Sequence, residues 1–107
     1  MAIVQVSIVP LGIGTLSVSR YVARALSILE DEKDVTYQLT PMATIIEGNL
    51  DRVLSIVRKM HESGFDEEVQ RVLTTITIDD RRDKTSTMES KVNSVRNKLH
   101  PGASPAG

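Results

Sequence analysis

Two short β-strand patterns meet at a proline in the segment VTYQLTPMATIIEG. Side chains alternate in character over residues 35–39, and β-branched residues are frequent over residues 42–47. Proline lacks an N–H donor for the sheet and has a fixed φ, so Pro41 is expected at a strand end, an edge or a bulge. The segment therefore predicts two successive strands, the second of which ends at Glu47 before Gly48.

Strand and helix patterns alternate along the rest of the chain. Residues 3–9 and 71–78 are typical of strands, and residues 18–29, 50–60 and 88–99 carry apolar side chains at helical spacing. The resulting order is β-α-β-β-α-β with one further helix at the C-terminus. This order predicts an α+β, ferredoxin-like βαββαβ sandwich, in which two helices cover one face of a four-stranded antiparallel sheet.

The length and the composition exclude several classes of protein. The 107 residues predict a single domain over residues 1–100 and a disordered tail over residues 101–107, and the three aromatic residues require an aliphatic core. A net charge of −1 gives no electrostatic footprint for nucleic acid or an anionic membrane. No apolar run approaches the roughly 20 residues that span a bilayer. The absence of cysteine excludes disulfides and thiol chemistry, and it is consistent with a cytoplasmic protein.

Local signals place several helix ends and one loop. Asn49 is expected to cap the second helix, and Gly64 is expected to end it in the left-handed conformation. Ser86 and Glu89 have the spacing of a capping box at the start of the third helix. A loop is expected over residues 10–14, followed by a cap for the first helix.

One face of the predicted sheet has no helical cover. It carries a mixture of apolar and small polar side chains, which on the first and last strands are Ile3, Gln5, Ser7, Val9, Leu73, Thr75 and Thr77. An exposed patch on the order of several hundred Å² usually binds a partner. We therefore expect a homo-oligomer whose sheets pack face to face, with the third helix as a second candidate for the subunit contact.

No catalytic or metal site is expected. His61 and His100 are distant in sequence from other candidate groups and are interpreted as surface residues, and no His/Asp/Glu cluster has metal-ligand spacing. The glycine turn over residues 12–14 precedes a helix start, where free N–H groups bind anions. It lacks the third glycine and the lysine of phosphate-binding loops, so it is interpreted as a plain turn.

Four residues have both a structural and a functional interpretation. Glu47 forms either a surface ion pair or a carboxylate that orients an amino or cationic group of a ligand in a mostly apolar pocket. Tyr37 either stacks on a flat ring or fills the core. Arg81 and Arg82 either pair with phosphate or with the acids of a neighbouring subunit, or they are solvated.

The segments YQLTPMATIIEG, RVLTTITIDDRRDK and MESKVNSVRNKL resemble the small thiamine-binding-protein family. The resemblance extends from the first strand to about residue 99, although family members often have a glycine where this chain has Ala43. It implies a ferredoxin-like fold, dimers assembled into tetramers, a site for thiamine or its pyrimidine moiety, and no established catalytic activity. By motif position, the residues that it assigns to the site are Tyr37, Thr44, Glu47, Thr75 and Arg81.

We therefore expect a cytoplasmic, non-enzymatic protein that binds thiamine or hydroxymethylpyrimidine as a carrier, buffer or sensor, without a cofactor. In this hypothesis Glu47 contacts the amino or cationic group of the ligand. Tyr37 and Met42 form apolar walls, and Thr44 and Thr75 supply hydroxyl contacts. The alternative is an oligomeric regulatory or assembly module with no small-molecule ligand. An acylphosphatase-like enzyme is disfavoured because residues 10–16 contain no arginine, and RNA binding is disfavoured because the sheet lacks platform aromatics.

Overall fold

Within residues 1–12, 18–83 and 87–100, which the computed structural model describes, four strands form one sheet. The strands are β1 (Ala2–Leu11), β2 (Thr36–Leu39), β3 (Thr44–Gly48) and β4 (Arg71–Asp80). They lie in the order β2-β3-β1-β4, and each neighbouring pair is antiparallel. The α+β class and the four-stranded antiparallel sheet expected from the sequence are confirmed.

Three helices alternate with the strands or follow them. They are α1 (Ser19–Glu30), α2 (Leu50–Glu62) and α3 (Met88–Leu99), so the element order is β1-α1-β2-β3-α2-β4-α3. Helices α1 and α2 lie on one face of the sheet, which we call the helix face. In the described part of the chain, no helix is both long and apolar enough to cross a bilayer.

The strand register determines which side chains share a face. Directly opposed residues of an antiparallel pair lie on the same face of the sheet. Val4 is opposite Ile46 on the helix face, whereas Ile3 is opposite Glu47 on the other side, which we call the open face. The alternation predicted for the first strand is therefore confirmed.

The core lies between the helix face and the two covering helices. Its side chains are aliphatic, as expected, and each large one contributes about 1.5–3 kcal/mol through removal from water. The buried residues of this cluster are Ala2, Val4, Val6, Ala25, Leu29, Val35, Ile46, Val53, Ile56, Val57 and Met60. Since both helices contribute to it, this cluster holds α1 and α2 on the sheet.

Pro10 belongs to β1, where the sequence predicted a loop. It lies opposite Val72 of β4. The pairing of β1 with β3 ends where Val6 opposes Thr44, so beyond that point no strand of the described residues lies beside this edge of β1. A proline is tolerated on such an edge. The turn begins instead at Gly12, whose φ of 75° lies in the left-handed region that favours glycine.

The start of α2 agrees with the sequence, and its end differs. The Asn49 side-chain oxygen accepts a hydrogen bond from the Arg52 N–H at 3.2 Å, which confirms the predicted cap. Gly64 does not have the expected positive φ. Its lack of a side chain matters for space, because a Cβ there would lie 3.0 Å from Cγ2 of Val72 on β4.

The capping box of α3 is one residue later than predicted. It is formed by Thr87 and Ser90 rather than by Ser86 and Glu89. Thr87 Oγ1 accepts from the Ser90 N–H at 3.0 Å, and Ser90 Oγ accepts from the Thr87 N–H at 2.9 Å. The short Ser90 hydroxyl therefore replaces the expected glutamate. Ser86, residues 13 and 14 of the expected loop, the expected cap of the first helix and the predicted tail lie outside the described residues.

Helix α3 buries none of its residues against the rest of the described chain. It is held at its first turn, where Glu47 accepts a hydrogen bond from the Met88 N–H and Lys91 pairs with Asp79. Since Glu47 lies on the open face, α3 begins over one end of that face. The exposed apolar residues of the helix are Val92, Val95 and Leu99.

Candidate functional site

A cavity of about 240 Å³ opens between α1, the second half of β1 and the turn that joins β2 to β3. Most of its wall is hydrocarbon, and we call it the apolar cavity. Its lining consists of residues 6–9 and 39–44 together with Val18, Tyr21, Val22, Ala25 and Met60. It therefore lies on the helix face, at the end of the sheet where β1 continues beyond its last pair with β3.

Thr40 shapes the turn that closes one side of the apolar cavity. Its Oγ1 donates to the Ala43 carbonyl at 2.7 Å and accepts from the Ala43 N–H at 3.1 Å. Pro41 and Met42 lie between these two residues and outside both strands, so Pro41 stands at a strand end as predicted. Met42 is 86% exposed and lies at the mouth of the cavity.

Thr44 supplies a hydroxyl to the wall of the apolar cavity. The residue is only 8% exposed, and its side chain makes no hydrogen bond to any described residue. No fully enclosed polar side-chain atom in the described ranges lacks a partner, so the Thr44 hydroxyl has to face the cavity. A hydroxyl on the wall of a mostly apolar cavity can form a hydrogen bond with a ligand and orient it there.

Tyr21 forms a rigid wall of the apolar cavity. Its hydroxyl donates to Asp66 Oδ2 at 3.0 Å and accepts from Arg20 Nη2 at 2.8 Å. The guanidinium carbons of Arg20 and Arg24 lie 4.9 and 5.1 Å from the ring centroid, within cation–π range. Sequence reasoning missed Tyr21 as a site residue, although its position four residues before Ala25 on the apolar stripe of α1 was a usable signal.

Asp66 is the acid that holds Tyr21 in place. Partial burial acts to raise the pKa of its carboxyl group, but hydrogen bonds outweigh that effect and lower the pKa below the ordinary 3.8. The donors are the N–H groups of Glu68 and Val69, the Tyr21 hydroxyl and the Arg24 guanidinium.

We expect an acid-dependent loss of stability from this carboxylate. Because the pKa of Asp66 is lower in the folded than in the unfolded chain, its stabilising effect is complete above the unfolded value of 3.8 and disappears as the pH falls through the folded value. Urea denaturation at several pH values should show that Asp66→Asn is less stable than the parent at neutral pH and less sensitive to acid. The matched control is Asp51→Asn, at an exposed acid in the first turn of α2. Equal acid sensitivity of the parent and Asp66→Asn would contradict the assignment.

A second, more open cavity of about 640 Å³ lies between β2 and the first turns of α3. We call it the polar groove, and its lining is Thr36, Tyr37, Gln38, Glu47, Val92, Asn93, Arg96 and residues 87–89. Glu47 Oε2 accepts a hydrogen bond from the Met88 N–H at 2.8 Å, at the positive end of the helix dipole. Glu47 therefore fixes the start of α3, a role that no local sequence signal indicates.

The structure divides four of the predicted site residues between the two cavities. Met42 and Thr44 line the apolar cavity, whereas Tyr37 and Glu47 line the polar groove. Thr44 and Glu47 are three residues apart on one strand, so their side chains point to opposite faces of the sheet. A single pocket of this chain does not bring all four together.

The other two predicted site residues lie away from both cavities. Thr75 is in the middle of β4, opposite Ser7 on the open face. Arg81 follows β4 and pairs with Asp83, with 2.6 Å between Nε and Oδ1, and this pairing raises the pKa of the guanidinium group. Neighbouring Arg82 pairs in the same way with the acid at the end of β4.

The histidines occupy different environments. His61 is only partly exposed, and its Nδ1 lies 2.6 Å from Thr74 Oγ1. Its ring meets Phe65 edge to face. His100 is exposed at the end of α3. Among the described residues, no three His, Cys, Asp or Glu side chains are grouped so that they could hold a metal ion.

Comparison with known proteins identifies relatives along almost the whole chain. The sequence model of the thiamine-binding protein family matches residues 4–96. The UPF0045 protein YqgV of Bacillus subtilis is 49% identical over 104 residues, which cover 94% of this chain and all of the relative. The UPF0045 protein MJ1052 of Methanocaldococcus jannaschii is 36% identical over 93 residues, which cover 87% of this chain and 90% of the relative.

Solved structures share the fold. The crystal structure of MJ1052 matches with a TM-score of 0.80 at 34% identity and covers 89% of this chain and 95% of its own. Protein TM0486 of Thermotoga maritima, whose name assigns it provisionally to thiamine biosynthesis or salvage, matches with a TM-score of 0.72 at 20% identity, over 89% of this chain and 98% of its own. The family match over residues 4–96 and the identity to YqgV show that the chain belongs to the thiamine-binding protein family.

Proposed function

We propose that this chain binds thiamine, or the pyrimidine that thiamine contains, in the apolar cavity. The observation that carries the proposal is the Thr44 hydroxyl, which faces the cavity and has no hydrogen-bond partner among the described residues. Mostly apolar walls with a few convergent polar groups are the usual form of a small-molecule site. Membership of the thiamine-binding protein family supports the choice of ligand.

The size of the apolar cavity favours a single ring. Its 240 Å³ is slightly below the roughly 300–1,000 Å³ of typical ligand pockets. The apolar walls suit the faces of an aminopyrimidine, and the Thr44 hydroxyl can donate to a ring nitrogen or accept from the amino group. In thiamine, the attached cationic ring would extend past Met42 into solvent.

The walls of the cavity suit binding rather than chemistry. The described lining offers hydrocarbon, hydroxyl and phenol groups, and the Tyr21 hydroxyl is already engaged with Asp66. General acid–base and nucleophilic catalysis need a base within reach of the reacting atom. The proposed role is therefore that of a non-enzymatic carrier, buffer or sensor.

Three variants locate the ligand. A thermal scan with thiamine, its phosphates and hydroxymethylpyrimidine identifies the best ligand, because saturation at a hundred times Kd adds about 2.7 kcal/mol. Titration calorimetry should then show that Thr44→Val weakens binding about tenfold or more, since the hydroxyl contact is lost. Thr75→Val, the same change on exposed β4, is the matched control and should bind as the parent does. Glu47→Gln tests the contact expected from the sequence.

The outcomes of this experiment distinguish the two cavities and test the binding function itself. Weaker binding by Glu47→Gln alone would move the ligand to the polar groove and overturn the assignment to the apolar cavity. Parent-like binding by both Thr44→Val and Glu47→Gln would exclude both residues as contacts. No shift with any of the compounds at saturating concentration would refute the binding function itself.

A second candidate function is a regulatory or assembly module without a small-molecule ligand. The observation that favours it is the hydrogen bond that Glu47 accepts from the Met88 N–H, because it explains the carboxylate as a structural group at the start of α3. The exposed apolar residues of α3 add a surface for a protein contact. This function becomes the leading one if the thermal scan shows no ligand.

We further infer a ferredoxin-like arrangement, a homo-oligomer built as a dimer of dimers, and a cytoplasmic location. The strand order β2-β3-β1-β4, with α1 and α2 on one face, supports the ferredoxin-like arrangement. The mixed apolar character of the open face supports an oligomer in which sheets pack face to face. A chain without cysteine is consistent with a reducing compartment.

A further inference from the structure

We propose that the backbone of Ile8 recognises the ligand of the apolar cavity: its N–H donates to a ring nitrogen, and its C=O accepts from an amino group beside that nitrogen. The cavity therefore selects single aromatic rings that carry an amino group next to a ring nitrogen, as aminopyrimidines do. This inference rests on the proposed binding function and adds the groups that determine which ring is bound.

The apolar cavity meets β1 along the edge of the strand. Its lining includes the consecutive residues 6–9. Successive side chains of a strand point to opposite faces of the sheet, so a continuous run of residues reaches one cavity only where the strand edge borders it. The pairing of β1 with β3 ends at Val6, and no strand of the described residues lies beside this edge from there on. The wall therefore includes main-chain groups of β1 as well as side chains.

The pairing of β3 determines which way these main-chain groups point. The Thr40 N–H donates to the Ala43 C=O at 2.9 Å, so the backbone groups of Ala43 point towards β2. In antiparallel strands, hydrogen-bonded and non-hydrogen-bonded pairs alternate. The backbone groups of Thr44 therefore point the other way, towards Val6 on β1. Two residues further along β1, the N–H and C=O of Ile8 point to the same side as those of Val6.

Pro10 supports this direction independently. Proline has no N–H to donate, so within a sheet its nitrogen faces a side without a neighbouring strand. Pro10 lies opposite Val72 of β4, which leaves the other side of β1 for its nitrogen. Backbone direction repeats every two residues, so Ile8 also points away from β4, and its pair with Thr74 is of the non-hydrogen-bonded type.

The N–H and C=O of Ile8, facing away from β4, have no hydrogen-bond partner among the described residues. The β1–β3 register, if continued, would bring Met42 opposite Ile8. Met42 lies outside β3, however, and directs its N–H to Thr40 Oγ1 at 3.4 Å. Ile8 therefore presents one donor and one acceptor, side by side, in a wall that is mostly hydrocarbon.

A donor beside an acceptor is complementary to the edge of an aminopyrimidine. The ring nitrogen accepts a hydrogen bond and the neighbouring amino group donates one, so this edge of the ring takes the place of a further strand. A site that bonds both groups rejects a ring that lacks either, because a backbone group covered by the ligand is then left unpaired. The Thr44 hydroxyl remains for the second nitrogen of the pyrimidine.

Amide hydrogen exchange followed by NMR tests the backbone direction without a ligand. Ser7 and Val9 lie opposite Thr75 and Leu73 of β4 in hydrogen-bonded pairs, so their N–H groups should exchange slowly. The Ile8 N–H should exchange faster by about tenfold or more. Saturating hydroxymethylpyrimidine should then slow the exchange of Ile8. Exchange of Ile8 as slow as that of its two neighbours in the free protein would overturn the proposal, whether or not a ligand binds.

Two analogues of hydroxymethylpyrimidine test the edge of the ligand. Titration calorimetry should show that replacing the amino group by hydrogen lowers the affinity about tenfold or more, since the Ile8 C=O then lacks its donor. The matched control replaces the ring methyl group by hydrogen and keeps both hydrogen bonds. It should lose about fourfold, the effect of one buried methyl group. Equal losses for the two analogues would contradict recognition of the amino group by Ile8.

A proline at position 8 tests the donor. Ile8→Pro removes the N–H on the side of β1 where the structure already accepts Pro10. Ile8→Ala shortens the side chain but keeps the N–H, so it is the matched control. Hydroxymethylpyrimidine should bind to Ile8→Pro about tenfold or more weakly than to Ile8→Ala. If circular dichroism shows that Ile8→Pro is unfolded, the exchange and analogue measurements decide.

The outcomes separate this inference from the proposed function. Failure of the parent to bind any of the compounds would refute the binding function and this inference with it. Binding by the parent that is insensitive to the amino group would leave the binding function standing and overturn the assignment to Ile8. Equal affinities of folded Ile8→Pro and Ile8→Ala would overturn it in the same way.

Discussion

Replacing Ile46 by alanine is expected to lower the free energy of unfolding by about 2–5 kcal/mol. Ile46 is fully buried, at 0% exposure, and lies opposite Val4 and Tyr37 in the middle strand pairs of the sheet. The change removes hydrocarbon from a core that helices and strands hold on both sides, so the cavity cannot close completely. Since a domain of this size is stabilised by about 5–15 kcal/mol, thermal denaturation should show a fall in midpoint of about 10 °C or more.

The control for this change is the neighbouring residue of the same strand. Ile45 has the same side chain, but it points to the open face and is partly exposed. Ile45→Ala is therefore expected to cost about 1 kcal/mol in the monomer. Equal losses for the two variants would contradict the assignment of the core to the helix face.

A methyl group at Gly48 is expected to destabilise the protein by about 1–3 kcal/mol through overpacking. A Cβ at this position would lie 2.8 Å from Val35 Cγ1 and 3.3 Å from Val53 Cγ2. Val53 is on α2 and Val35 directly precedes β2, so neither side chain can retreat without moving an element. The measurement is urea denaturation of Gly48→Ala, with the parent as reference.

A second substitution separates overpacking from a general weakening of the strand. Val35→Ala removes the closer of the two contacts, so it should cost less in the Gly48→Ala background than in the parent. The expected coupling between the two changes is about 0.5–3 kcal/mol. Strict additivity of the two losses would show that space beside Val35 is not the reason for glycine at this position.

The order of helices and strands could be predicted because it depends on local periodicity. Val4 and Val6 alternate with polar neighbours on β1, and the predicted aliphatic core follows from this pattern and from the helix stripes. The cap at Asn49 could also be predicted, because its side chain accepts a hydrogen bond from the backbone N–H of Arg52, only three residues away. Features that depend on a few neighbouring residues could therefore be predicted from the sequence.

The positions at which the structure differs from the sequence-based prediction depend on contacts with residues distant in the chain. Pro10 looks like a loop residue, and only the early end of the β1–β3 pairing makes it acceptable within a strand. Gly48 looks like a chain break, whereas its reason is the packing of Val35 and Val53 against the strand end. Glu47 resembles a ligand-binding group in the sequence, but in the structure it bonds the start of α3, forty-one positions further along the chain.

The candidate site was predictable only in part for the same reason. Thr44 and Met42 come from the motif around Pro41, and both line the apolar cavity. The opposite wall comes from α1, where Tyr21 owes its position to Arg20 and Arg24 of the same helix and to Asp66, forty-five positions further along the chain. No spacing rule connects these segments before the chain is folded.

The long pairing of β1 with β4 also has a consequence for the biosynthesis of the protein. β1 is synthesised before the elements that follow it, yet Ala2 finds its neighbour Asp80 only after the segments between them have been made. At roughly 5–20 residues per second, β1 remains without β4 for on the order of 4–16 s. Pairings between such distant segments also slow refolding in solution. The sheet is therefore completed late. Until then, only β3 and the two covering helices can bury the apolar side chains of β1 and so limit aggregation.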